Sequence, residues 1–308
     1  MATRAQTVPL TSLRAPRRRY GEDVVRVVLL AAAFLSVLTT FAIIVALLKP
    51  AIEFFSEISP WKFFSGTTWT PLFEPSHFGV LPLLVGTLTI TFWACLVALP
   101  CGLGTAIFLS EYARPRVRSV LKPALEVLAG IPTVVYGYFA LTFFTPFLRS
   151  AGVNVEIFNA LSAGLVMGVM LIPTVASLSE DAMFAVPQDL RDGGYALGAT
   201  RRHVATRIVV PAATSGIVAS FVLAVSRGIG ETMIVLIAAG QLAQISFDPR
   251  TSVETMTTFI GATAQGDVPT DSIEYETIFA VGLALFAITL LMNIVSIRLV
   301  RKYREVYE

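Results

Sequence analysis

Ser226-Arg227-Gly228-Ile229-Gly230-Glu231-Thr232 lies near the middle of an otherwise uncharged apolar run, Pro211 to Gly240. As one helix rising about 1.5 Å per residue, that run places Arg227 roughly 24 Å from its start and about 18 Å from its end, too deep for the guanidinium to snorkel back to water. A charge at the centre of a bilayer costs at least about 2.5–3.5 kcal/mol on insertion scales, so such residues face a bundle interior, a partner or a permeation path. The spacing allows two readings. Arg227 and Glu231, one helical turn apart, suit an internal ion pair that locks two helices. They equally suit an anion route through a membrane, on which Arg227 attracts the anion, Glu231 holds the arginine, and Ser226 and Thr232 lie alongside.

Working outward, the whole chain has the composition that such a run requires. Apolar residues make up 55% of the 308 positions and charged residues only 14%, against about 25% charged in an ordinary soluble domain. The mean hydropathy is +0.73. Runs long enough to cross about 30 Å of hydrocarbon are Val24–Leu48, Gly79–Leu109, Val120–Leu148, Ile157–Leu178, Pro211–Ala239 and Ile278–Val300. The expectation is an all-α membrane protein with six transmembrane helices. The first run follows a basic stretch, as a secretory signal would, but its length exceeds a signal core and no cleavage site follows. It is read as an uncleaved first helix.

Positive charge orients these helices. With both termini in the cytoplasm, eighteen of the 23 lysines and arginines fall inside, at the N-terminus, between helices two and three, between helices four and five, and at the C-terminus. Only Lys49, Lys62, Arg149 and Arg250 fall outside, the asymmetry expected of cytoplasmic loops. The net charge of +2 thus reports orientation, and no nucleic-acid partner is implied. This divides the chain into a basic N-terminus (1–23), a first helix (24–48), an external loop (49–78), a core of five helices (79–300) and a C-terminal tail (301–308). The external loop carries Phe54, Phe55, Trp61, Phe63, Phe64 and Trp69, which suits a chain lying among lipid headgroups. A second external loop, 241–277, is acidic and reads as solvated or as a docking surface.

The cytoplasmic segment 179–210 carries a second signal. Pro187 suits the start of a helix and Gly198 the position just past its end, so a helix of about 11 residues, roughly 16 Å long, is expected. It is too short to span anything. Inside it, Gly193 and Gly194 each cost about 0.8–1 kcal/mol relative to alanine, which points to a close approach by something. A third signal is the repeat of Ile131-Pro132-Thr133-Val134 as Ile172-Pro173-Thr174-Val175. Each proline removes a backbone hydrogen bond and is expected to kink its helix, and a freed carbonyl is tolerated only against protein or water. The bends either pack or line the inner half of a route, with Thr133 and Thr174 as polar contacts.

Other chemistries lack their residues. No stretch matches G-x-x-x-x-G-K-[ST], so the chain has no loop for cradling nucleotide phosphates and is not expected to be an enzyme. His77 and His203 fall on opposite sides of the membrane, and no metal site is expected. Cys95 and Cys101 are six residues apart, on different faces of one helix, and read as packing residues.

The cytoplasmic segment resembles the coupling segment of ABC importer permeases, Glu-Ala-Ala followed at fixed spacings by Gly, Ile, an apolar residue and Pro. Here the positions fall at Asp192-Gly193-Gly194, Gly198, Ile208, Val210 and Pro211, with Tyr195, Ala196 and Leu197 between, every spacing kept and the first three residues departing. Trp69-Thr70-Pro71, Phe78-Gly79-Val80-Leu81-Pro82, Gly86-Thr87-Leu88, Ala129-Gly130-Ile131-Pro132-Thr133-Val134-Val135-Tyr136-Gly137 and the Arg-x-x-Gly-Glu-Thr of residues 227–232 are similar to the PstC-type permease of the phosphate-specific transporter. The resemblance implies a type I ABC importer permease in a prokaryotic cell membrane. It further implies a PstA-type permease beside the chain, a PstB-type ATPase dimer that binds ATP and Mg, and a PstS-type phosphate-binding protein outside. The same architecture serving another oxyanion, such as molybdate or sulfate, stays open, as does a passive anion channel or membrane scaffold.

Overall fold

Of the prolines in or beside the apolar runs, Pro132 falls between two helices, whereas Pro50, Pro100, Pro123 and Pro173 lie inside unbroken ones. The computed structural model describes residues 20–266, 268–269 and 272–303. Arg4, Arg14, Arg17, Arg18, Arg19 and Arg304, which helped to orient the chain, lie outside the described residues, as do Asp267 and Asp271. The chain divides into two units between Leu47 and Leu48. The first is the exposed apolar part of helix α1 (Tyr20–Glu57).

The second unit begins with the rest of α1, α2 (Pro60–Ser65) and an antiparallel pair, β1 (Trp69–Thr70) with β2 (His77–Phe78). These form a buried aromatic cluster. Phe54 and Phe63 are fully buried with ring centroids 5.7 Å apart edge to face, and Trp69 meets Phe259 at 4.9 Å. Burying each phenylalanine is worth about 1.5–3 kcal/mol. The headgroup expectation is therefore corrected for Phe54, Phe63 and Trp69, whose rings find one another and α13 (Met256–Ala264) instead. Trp61 and Phe64 remain exposed.

Two long helices make the centre of the second unit. α3 (Leu81–Ile107), extended by a π turn at Phe108–Tyr112, packs against α7 (Ala160–Phe184). Gly164 and Gly168 permit the approach: a Cβ at Gly168 would lie 2.7 Å from the Ala94 carbonyl oxygen. Small residues four apart let membrane helices gain van der Waals contact where no hydrophobic force drives them together. α11 (Thr214–Ile229) crosses α7 with a buried Ser179–Ser220 hydroxyl contact of 2.7 Å. α14 (Ile273–Tyr303) completes the set.

Two expected spans are broken. α4 (Pro115–Gly130) turns through 85° into α5 (Thr133–Phe139) and α6 (Thr145–Ser150), and α9 (Arg201–Val204) with α10 (Val210–Ala212) turns through 72° into α11. Four helices are long and apolar enough to span, or six if each bent pair counts once. Pro132 produces a break rather than a kink. Its ring fixes φ at −57° with ψ at 135°, ending one helix and starting the next. Pro173, by contrast, sits inside an uninterrupted α7. Three π turns, Phe108–Tyr112, Ala140–Phe144 and Ala205–Val209, each precede a proline by two or three residues, namely Pro115, Pro146 and Pro211. At Pro146 and Pro211, where the helix continues, a widened turn gives room to the ring and to the carbonyl it leaves unbonded, whereas Pro115 heads a new helix.

Candidate functional site

The run that opened the sequence is also discontinuous. α11 stops at Ile229 and α12 (Met233–Ala238) starts after Gly230-Glu231-Thr232. Glycines at 228 and 230 weaken the helix there, and Glu231 offers the backbone an alternative. Its Oε1 accepts from the Met233 and Ile234 amides at 3.0 and 3.3 Å, capping the new helix. Thr257 of α13 donates to the Glu231 carbonyl at 2.8 Å, so the break is braced from outside. Thr232 is the residue before α12, its hydroxyl turned to the Gly230 carbonyl at 3.3 Å.

Arg227 consequently has a different partner from the one its spacing suggests. Among the described residues no ion pair joins it to Glu231, because the helix that would stack them ends between them. The guanidinium is exposed on this chain, and its Nη1 donates to Thr174 Oγ1 on α7 at 3.0 Å. Placement in the last turn of α11 sets the cation beside that helix's free carbonyls, where positive charge is favoured. The Ser226 hydroxyl is buried with no hydrogen-bond partner among the described residues. Of the two repeat threonines, the structure brings Thr174 to Arg227 and gives Thr133 no such bond. From α5, the Tyr136 hydroxyl donates to the Leu128 carbonyl at 2.9 Å across the Pro132 break.

Thr174 also lines a cleft of 260 Å³ between α4 and α7 with Pro173, Ser177, Lys122, Glu126 and Glu180. Glu180 is fully buried and is paired with Arg118 and, at 2.8 Å, with Lys122; Lys122 reaches Asp181 at 3.0 Å. Since α4 buries no residue, these charges are its principal hold on α7. The pairing of α4 cations with α7 carboxylates has no sequence-local signal, as the partners are some 58 positions apart.

In the segment between α7 and α9, α8 (Gln188–Ala196) has nine residues, with Pro187 before it. Its end is a Schellman turn: Gly198, φ +79°, donates to the Tyr195 carbonyl at 2.9 Å and Ala199 to the Gly194 carbonyl at 3.1 Å. Only the left-handed region closes this turn, which explains glycine there. The two adjacent glycines point to different surroundings. A Cβ on Gly194 would strike Ile208 Cδ1 at 2.6 Å, whereas one on Gly193 meets nothing within 4 Å. Close approach at Gly194 is thus to this chain itself, and the open side carries Asp192, Gly193, Tyr195, Ala196 and a 90% exposed Leu197.

Broken helices apolar enough to cross a membrane, a short amphipathic helix and an arginine at a helix break are features that suit a transport permease. The chain belongs to the family described as binding-protein-dependent transport system inner membrane component, whose pattern matches residues 98–305. It is 34% identical over 287 residues to the probable ABC transporter permease protein YqgH of Bacillus subtilis, covering 91% of each chain. It is also similar to phosphate transport system permease proteins PstC: 32% identical to that of Mesorhizobium japonicum over 75% of this chain and 76% of the relative, and 31% identical to that of Haemophilus influenzae over 86% and 91%. Among solved structures it shares its fold with the MetNI methionine ABC transporter in an inward-facing conformation, with a TM-score of 0.54 at 17% identity over 74% of this chain and 95% of that one. It is a multi-pass membrane permease of the type I ABC importer architecture, a class whose members work with an ATPase and a substrate-binding protein.

Proposed function

We propose that the chain is the translocating subunit of an ATP-driven inorganic phosphate importer, paired with a PstA-type permease. A PstB-type ATPase dimer, which binds ATP and Mg, docks on the open side of α8, and a PstS-type protein delivers phosphate from outside; both termini lie in the cytoplasm. The observation that carries this reading is Arg227, an exposed cation on the apolar helix α11 of a bent candidate span, held by Thr174 and beside a Ser226 hydroxyl with no partner among the described residues. Lipid is no environment for that group, so it belongs on a polar path shared with a second subunit. A phosphate carrying one to two negative charges gains from a cation in a low-dielectric passage, and the relatives named for phosphate transport support that choice of anion.

The test is uptake of labelled phosphate in cells without other phosphate transporters, with the assembled complex quantified in the same membranes. Arg227→Gln keeps hydrogen-bonding capacity and removes the charge. Uptake is expected to fall at least about tenfold, the effect of losing about 1.4 kcal/mol, with assembly unchanged. Uptake at the unmodified rate would remove Arg227 from the route. Loss of assembly would assign it to packing instead. Inhibition of the unmodified protein by molybdate or sulfate as strongly as by phosphate would reassign the substrate.

A further inference from the structure

Glu111 lies in the π turn that ends α3, and Arg191 lies in α8; their side chains are 6% and 10% exposed. Arg191 Nη2 is 3.1 Å from Glu111 Oε1, and Nε is 3.4 Å from the same oxygen. The guanidinium also donates from Nη1 to the Val186 carbonyl at 2.6 Å and from Nη2 to the Met183 carbonyl at 2.8 Å. Ser110 donates to the same Glu111 oxygen at 2.9 Å. Met183 lies in the last turn of α7 and Val186 just beyond it. One planar group thereby joins the end of α3, the end of α7 and α8.

Stability alone does not account for such a group. A buried ion pair recovers in attraction about what it loses in desolvation, and apolar side chains of the same size would hold α8 at least as firmly. What the guanidinium supplies is a rigid fork whose donors lie in fixed directions, which a lysine ammonium does not reproduce. The fork fixes the angle between α8 and the two helices at the centre of the core. On its other flank, α8 rests through Gly194 against Ile208 and Val204, a contact that resists compression but permits sliding.

We propose that the Glu111–Arg191 pair is the joint through which displacement of α8 by the ATPase reaches α3 and α7. Arg191 is a positioning residue for energy coupling, with Glu111 as its anchor, and it touches neither substrate nor nucleotide. The proposal rests on the reading of α8 as the ATPase-docking helix. With the joint loosened, the ATPase still docks and hydrolyses, but α8 moves without carrying the core, so ATP is spent without transport.

The experiment uses the complete importer in proteoliposomes with its binding protein and phosphate, and reads ATPase copurification, ATP hydrolysis and phosphate transported. Arg191→Lys keeps the charge and loses the fork; Glu111→Gln keeps an acceptor oxygen and loses the charge. In both, the ATP hydrolysed per phosphate transported is expected to rise about tenfold, a size typical of coupling between sites, with ATPase association intact. A ratio equal to that of the unmodified importer, with hydrolysis and transport falling together, would overturn the proposal, as would failure of both variants to assemble. Leu197→Asp, on the exposed end of α8, tests the docking reading separately: retention of the ATPase in that variant would sink the assignment of α8. Loss of the ATPase there combined with an unchanged ratio in the other two would sink the joint alone.

Discussion

Glu254 stands in the segment between α12 and α13 with 8% of its surface exposed, its backbone carbonyl lying against Gly86 of α3. Burial pushes its carboxyl up from 4.5 to about 8. The folded chain therefore keeps a proton that an unfolded chain releases above its ordinary carboxylate range. Stability from this group falls as pH rises from about 4.5 towards 8 and is level beyond, since each unit of pKa difference is worth about 1.36 kcal/mol. Glu254→Gln, neutral at every pH, should match the unmodified protein near pH 4.5 and exceed it at pH 8 by about 4 kcal/mol. Thermal melts across that range check this; a gap independent of pH would show that the carboxyl is solvated. At this scale the sequence told half the story of Arg227 and Glu231. It marked the two as exceptional, because a charge in an apolar run is visible without coordinates. It paired them wrongly, because the i,i+4 argument assumes a continuous helix, and whether Gly228 and Gly230 let the helix end depends on a competing cap and on Thr257, 26 residues away.

For elements, local chemistry was the better guide. The limits of α8 were legible to within two residues, since Pro187 and Gly198 act on their own backbone. The orientation of Gly193 and Gly194 was not, since what a glycine faces depends on elements far along the chain. Bulk at the two positions should therefore act differently. Gly193→Trp adds its ring on the open side and is expected to abolish ATPase copurification while leaving the permease's own melting temperature unchanged. Gly194→Trp drives into Ile208 and Val204 and should lower that temperature, at a cost of about 1–3 kcal/mol typical of overpacking. Equal effects in a pull-down and melting comparison would contradict the separation of the two faces. The same limit applies to Pro132 and Pro173: the repeat was plain, but nothing in either tetrapeptide distinguishes an 85° break from an unbroken helix.

The molecule as a whole leaves surfaces that one chain does not cover. Arg227 is exposed, α4 buries none of its residues, and each copy offers a single α8. On the proposed function, two nucleotide-binding subunits engage this α8 and that of a PstA-type permease, not two copies of this chain. Native mass spectrometry of the purified importer should find this chain once per complex; two copies with no related permease would refute it. Six apolar runs and their order were readable from length and hydropathy, which depend on composition alone. The bends were not, since a window of apolar residues scores the same whether straight or folded over.

Those bends bear on how the protein sits in membranes of unequal thickness. α3 with its π turn comprises 32 residues, roughly 48 Å at about 1.5 Å per residue, while Thr133–Ser150 reaches only about 27 Å on the same rise. Against a hydrocarbon core of about 30 Å, the long helix can tilt to absorb a change in thickness, but the short one has no length in reserve. A mismatch that the short segment does not absorb by tilting falls on the bilayer around it or on the bend at Ile131-Pro132, on the far side of which α4 is tied to α7 by the Arg118 and Lys122 pairs with Glu180.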